Sequence, residues 1–261
     1  MTTATGIDPV LWYRDGQIGH ITLNRPKAFN SMTVELGEQL EMALGELARD
    51  SDAIIIRGAG GNFSTGADLK LVRENQSDPQ VIRSLIEAIG RALNLIETLP
   101  IPVVAAIEGF CLAGGFELLQ ACDFAVAAED AVIGDGHVEF AQLPGGGGTV
   151  RLVRELGRQT ALGILLTGDR FTGAEAAARG LIHRAFPAER FEESVAELAA
   201  QLARRGREAL QAIKQTVTEL EYLPLEEALA AEREACIAHV GGPIAGAGLE
   251  RFLARQASKG T

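Results

Sequence analysis

Two side chains able to move protons stand in glycine-rich surroundings. Glu117 lies in "EGFCLAGGFELLQACD" (108–123), and His137 lies in "IGDGHVEFAQLPGGGGTV" (133–150). In the first stretch an apolar run ends near Glu108, and Gly114–Gly115 then open a helical pattern that carries Glu117 in its first turn. The first amides of a helix have no intrahelical acceptors and sit at the positive end of its dipole, so they can stabilise a developing oxyanion. A carboxylate held there among apolar neighbours has its pKa raised toward the range useful for acid–base work. A first-turn glutamate is also ordinary helix design; the conjunction of buried strand, glycine pair and acid is what favours chemistry. His137, taken alone, reads as a hydrogen-bonded structural histidine before it reads as a catalyst.

A third stretch, "GAGGNFSTGADLK" (58–70), has the glycine content of a phosphate loop. No Gly-Lys-[Ser/Thr] follows, however, and no G-x-G-x-x-G register fits. What it offers is backbone amides around Gly66 and Ala67, in a turn that needs glycine.

The elements that must position these groups alternate. An alternating run at 18–24, bounded by Gly16 and Pro26, reads as a strand. Leu36, Leu40, Ala43, Leu44 and Leu47 mark one face of a helix over about 33–49. Apolar runs ended by glycine at 53–58 and 102–109 read as buried strands, with a helix over 78–98 between them. A helix over 114–122 and strands at 124–129 and 131–134 complete an α/β pattern. Beyond Phe186 the pattern is helical only, at 190–204, 207–221, 225–240 and 244–256. These four helices lie outside the sheet layer, packed either on another subunit or as a cap on their own core.

Bulk properties narrow the function. The chain has 261 residues, 47% hydrophobic and 23% charged, as in an ordinary globular protein. Its net charge of −11 and pI near 4.9 give nucleic acid and anionic membrane surfaces no footprint. The longest uncharged run, Ala235–Leu249, is broken by Gly241, Gly242 and Pro243 and falls short of a spanning helix. The opening "MTTATGIDPV" has neither the basic nor the apolar region of a signal peptide, so a cytoplasmic location is expected. Cys111, Cys122 and Cys236 lack metal-ligand spacing and read as buried free thiols.

Together the three stretches resemble the crotonase, or enoyl-CoA hydratase/isomerase, superfamily. The resemblance is carried by "ITLNRPKAFNSMT" (21–33), "FSTGADLK" (63–70), "IEGFCLAGGFELLQACDFAVAAEDAVIG" (107–134) and "LPGGGGTVRLVRELGRQTALGILLTGDRFTGAEAAARGLIHRAF" (143–186), within a similarity running from about residue 10 to 256. It implies a crotonase-like ββα spiral core with the active site over 1–195, then a C-terminal helical trimerisation region over 196–261, in a homotrimer or homohexamer. It implies an acyl-CoA thioester substrate and no permanently bound cofactor or metal, coenzyme A entering as part of the substrate. Ala67 and Gly114 then supply the amides of an oxyanion hole for a thioester enolate. Arg25, Lys27, Ala28 and Phe29, with Ser64, Gly66, Asp68 and Leu69, resemble the segments that hold coenzyme A, and Gly136 is expected beside the substrate.

Hydratases of that superfamily use two glutamates. The first corresponds to Glu117. The second belongs to a "GxPE" segment seven residues before the proline of the glycine-rich turn, and counting back from Pro144 reaches His137, with Glu139 two residues later. The resemblance thus implies an enzyme hydrating or isomerising an enoyl-CoA, with Glu117 as principal acid/base and His137 as the second polar group. The alternatives are a carbon–carbon hydrolase of the β-diketone type or an acyl-CoA decarboxylase using His137, and, in another class, a non-catalytic acyl-CoA-binding subunit. The β-diketone hydrolases lack the acid retained here, and their partner aspartate falls at Gly146.

Overall fold

The computed structural model describes residues 8–257, so residues 1–7 of the opening stretch on which the location was read fall outside it. Val10–Asp15 (β1) and Ile18–Leu23 (β2) form an antiparallel hairpin about Gly16. A 3-10 turn at Pro26–Ala28 leads to Val34–Asp50 (α1), where the Thr33 hydroxyl caps the helix by accepting from the Leu36 amide. Next come Ala53–Gly58 (β3), Leu69–Glu74 (α2), Pro79–Thr98 (α3) and Val103–Ile107 (β4).

The strand expected over 102–109 is β4, which ends at Ile107. The chain turns at Gly109 (φ +54°), and Phe110–Leu112 (β5) joins a different sheet. A Cβ on Gly109 would lie 2.2 Å from the Gly61 carbonyl oxygen, so two backbones cross there with no room for a side chain.

Gly114–Ala121 (α4), Phe124–Ala128 (β6) and Val132–Gly134 (β7) follow, then Gly148–Leu156 (α5), Arg158–Thr167 (α6), Arg170–Thr172 (β8), Gly173–Ala178 (α7) and Arg184–Phe186 (β9). Six strands form one sheet in the order β1-β2-β3-β4-β6-β9, parallel after the first pair. The second sheet is β5-β7-β8. Ile54, Ile55 and Ile56 have no exposed surface, as befits a parallel sheet covered on both faces.

The C-terminal region is Phe191–Arg205 (α8), Arg207–Leu220 (α9), Leu225–Val240 (α10) and Pro243–Ala257 (α11), each within two residues of the sequence pattern. α8 runs unbroken through residues 195–196 and sends Phe191 and Val195 into the core. α9 is tied to the core by polar anchors. Lys214, on this helix, donates to the Ile96 and Ile101 carbonyls and to Asp123 Oδ2 at 2.8 Å, while Arg207 donates to the carbonyls of Ser51 and Ala48. α10 and α11 instead leave Leu225, Ile237, Val240 and Phe252 exposed. Cys111 and Cys122 are buried, but Cys236 is exposed on α10, contrary to the sequence reading, because the apolar residues around it face no core of this chain. No helix among the described residues is long and apolar enough to cross a membrane.

Candidate active site

Glu117 projects from the first turn of α4 and is 3% exposed. Its carboxylate is not bound by the amides of its own helix. Oε1 accepts from the Gly146 amide at 2.7 Å and the Gly148 amide at 2.9 Å, across 29 and 31 residues of chain. This contact explains two of the four glycines. A Cβ on Gly146 would lie 2.9 Å from Glu117 Oε2, and one on Gly148 would lie 3.1 Å from Glu117 Cγ, so side chains would crowd the carboxylate. Arg151 secures the turn, donating to the Gly146 carbonyl and, at 2.6 Å, to Glu97 on α3. Burial pushes the Glu117 carboxyl above its usual range, against the pull of both amides and His137.

His137 opens a single 3-10 turn, His137–Phe140, bracketed by the left-handed residues Gly136 (φ +70°) and Ala141 (φ +52°). Its Nδ1 lies 3.0 Å from each carboxylate oxygen of Asp135, and its backbone amide donates to Asp135 Oδ1 at 3.0 Å. Nε2 is thereby turned toward Glu117 Oε2, 4.0 Å away. Burial alone would lower the imidazole's pKa, but the hydrogen bond and charge of Asp135, with the charge of Glu117, raise it above the ordinary value. Glu139 faces elsewhere, paired with Arg170 at 2.6 Å.

Two further amides meet beside this pair. Among the described residues, neither the Ala67 N–H nor the Gly114 N–H has a protein acceptor. Met32 bridges the strand-like segment at Ala67 by accepting from Asp68 and donating to Gly66, which leaves the Ala67 amide itself free. Gly66, at φ +87°, passes so close to α4 that its Cβ would lie 2.5 Å from the Gly114 nitrogen. Ala113, at φ +49° and ψ −118°, holds a conformation that costs an L residue energy, a kind of strain that gathers at functional sites.

Glu117, His137, Ala67 and Gly114 line one cleft of about 110 Å3, walled by Leu85, Ile86 and Ile89 of α3. A second cleft, of about 330 Å3, shares Ala67 and Leu69 with the first and is lined also by Ala28, Asp135 and Gly136. The residues expected to hold coenzyme A divide accordingly. Ala28, Leu69 and Gly136 face this cleft. Lys27 is exposed nearby, and Phe29 packs edge-on against Phe110. Arg25, Ser64 and Asp68 are occupied within the protein: Arg25 pairs with Asp68 at 2.9 Å, Ser64 donates to the Asn30 carbonyl, and Asp68 caps α2. They shape the loop rather than point at a ligand. Among the described residues no cluster of side chains suits a metal ion.

Comparison with known proteins bears on the family and the fold. Residues 14–256 match the family model for enoyl-CoA hydratase/isomerase. The chain belongs to the enoyl-CoA hydratase/isomerase family. A putative enoyl-CoA hydratase/isomerase of Bacillus subtilis is 38% identical over 219 residues, covering 82% of this chain and 83% of its own. A probable mitochondrial enoyl-CoA hydratase of Dictyostelium discoideum is 32% identical over 222 residues, covering 84% and 79%. The crystal structure of an enoyl-CoA hydratase from Polaromonas sp. JS666 superposes with a TM-score of 0.89 at 30% identity, covering 94% of this chain and 97% of that one. One from Bacillus anthracis superposes at 0.87 and 32% identity, covering 95% and 96%. The α/β core with a helical C-terminal region is thus the crotonase fold.

Within this enoyl-CoA hydratase/isomerase fold, sequence reasoning missed Asp135 and the roles of Gly146 and Gly148. The "GDGH" spacing did hold a signal for Asp135, since a carboxylate two residues before a histidine can reach its ring when the residue between turns left-handed. For the two glycines the only signal was glycine itself.

Proposed function

We propose that this chain hydrates or isomerises an enoyl-CoA through a thioester enolate. The observation that carries the reading is the 4.0 Å gap between Glu117 Oε2 and His137 Nε2, beside two unpaired backbone amides at the head of an apolar cleft. A water seated to one side of that gap, about 2.8 Å from each atom, would be shared by both side chains. In hydration, Glu117 takes a proton from the water as its oxygen bonds to Cβ of the enoyl group. The π electrons move onto the thioester oxygen, where the Ala67 and Gly114 amides receive the negative charge. Protonated His137 then gives its Nε2 proton to Cα, and the proton on Glu117 returns to His137. In isomerisation Glu117 carries one proton from Cγ to Cα through the same enolate.

The shared wall of the two clefts supports a thioester that spans them, its acyl group against α3 and its pantetheine toward Ala28. The exposed apolar residues of α10 and α11 support a trimer or a dimer of trimers in which these helices pack on neighbouring copies. Three free cysteines suit a reducing, cytoplasmic setting. Asp135 favours carbon–carbon bond hydrolysis as the second reading, because it supplies a carboxylate behind the histidine that is absent at Gly146.

The test is turnover of a panel of enoyl-CoA thioesters by Glu117→Gln. Loss of this acid/base is expected to cost about 10²–10⁴ in kcat. Unchanged turnover rejects the reading, and activity on cyclic diketones without coenzyme A binding favours the second.

A further inference from the structure

The carboxylate of Asp135 is 1% exposed, and among the described residues His137 alone hydrogen-bonds to it. A carboxylate buried for structural reasons is ordinarily neutralised by a cation or surrounded by several donors, because an unpaired buried charge is costly. Here the cation nearest to hand is the imidazolium of His137. We infer that Asp135 is a positioning residue for the proposed reaction, fixing His137 with its Nδ1 proton directed rearward and its Nε2 toward Glu117. The inference rests on the reading of this cleft as a hydratase/isomerase site.

The geometry exceeds a simple turn. One oxygen accepting the His137 backbone amide would complete the turn, yet Nδ1 lies 3.0 Å from both oxygens. Gly136, at φ +70°, gives the backbone the bend that lets a side chain reach the ring two residues later. A neutral imidazole with its proton on Nδ1 presents a lone pair at Nε2, and an imidazolium presents a proton there. Either form is competent toward Glu117; the Nε2–H neutral tautomer would leave Nδ1 with a lone pair facing a carboxylate. The charged groups around the ring are Asp135 on its own segment and Glu117 on α4, while Arg170 of β8 lines the cleft with Asp135 but pairs with Glu139.

The test pairs ring-nitrogen NMR with kinetics. In the wild-type protein the His137 resonances should report a proton on Nδ1; a neutral ring protonated on Nε2 overturns the inference without any variant. Asp135→Asn keeps an oxygen for the backbone amide but removes the charge. It should shift the His137 titration to lower pH and lower kcat by up to ~10⁴-fold with KM little changed. In a His137→Gln background the same substitution should cost nothing further, because Asp135 acts only through the imidazole. An equal loss in both backgrounds marks a structural role and rejects the inference. Failure of the wild-type protein to turn over enoyl-CoA rejects the proposed function instead, while the NMR result still decides the role of Asp135.

Discussion

Nε2 of His137 and Oε2 of Glu117 face each other across 4.0 Å, and each side chain is gripped from behind, one by the Asp135 carboxylate and the other by two backbone amides. The gap between them is therefore set by hydrogen bonds on the far side of each group.

A bell-shaped pH dependence follows from this pairing. Glu117 must be ionised to accept a proton, and its raised pKa moves the acid limb above the 4.5 of an ordinary glutamate. His137 must be protonated to donate, and its raised pKa moves the alkaline limb above 6.5. Both limbs belong to the coupled pair. A kcat profile with an alkaline limb below 6.5 contradicts the assignment of His137 as acid.

Gly66→Ala tests the backbone amides directly. The added Cβ would fall 2.5 Å from the Gly114 nitrogen, at a φ of +87° that alanine resists. Blocking one oxyanion donor is expected to cost about 10²–10³ in kcat. Circular dichroism should report a retained fold, and full activity in a folded variant argues against an oxyanion hole here.

Gly146→Ala addresses the carboxylate instead. Its Cβ would meet Glu117 Oε2 and Leu93 Cδ1, each at 2.9 Å. The acid is displaced, so kcat should fall while binding of a saturated acyl-CoA, measured by calorimetry, changes little. Equal losses in both would mean that the turn forms the ligand site rather than orienting the acid.

Lys214→Met probes the seam between core and helical arm. Its ammonium, 7% exposed, is the cation for Asp123, whose own carboxyl burial pushes upward. Replacing it leaves the Ile96 and Ile101 carbonyls and the partly exposed Asp123 without this donor, which is expected to cost about 1–3 kcal/mol in denaturant unfolding. Asp123→Asn added to Lys214→Met should restore part of that loss, and a fully additive double variant would show the two residues to be uncoupled.

Much of the architecture was legible in the sequence because α1, α3, α8 and α9 are long enough for their 3.6-residue periodicity to declare itself. β8 and β9, at three residues each, are too short to show a pattern, and β1 exposes most of its residues at the edge of the sheet. Glu117 was singled out from its glycine-rich setting, and His137 through the family resemblance, by counting back from Pro144. Their supports were harder to find: Gly146 and Gly148 act through main-chain amides, which no side-chain chemistry announces, and Asp135 becomes a partner only through the dihedral angle of Gly136.

The unequal anchoring of the two side chains has an evolutionary consequence. Glu117 is gripped by main chain, so drift in neighbouring side chains leaves it in register as long as the glycines persist. His137 rides on one short turn between two left-handed residues, and a single codon change there exchanges the second group without rebuilding the first. Selection can thus retune the proposed reaction at one position while the scaffold around Glu117 is inherited intact.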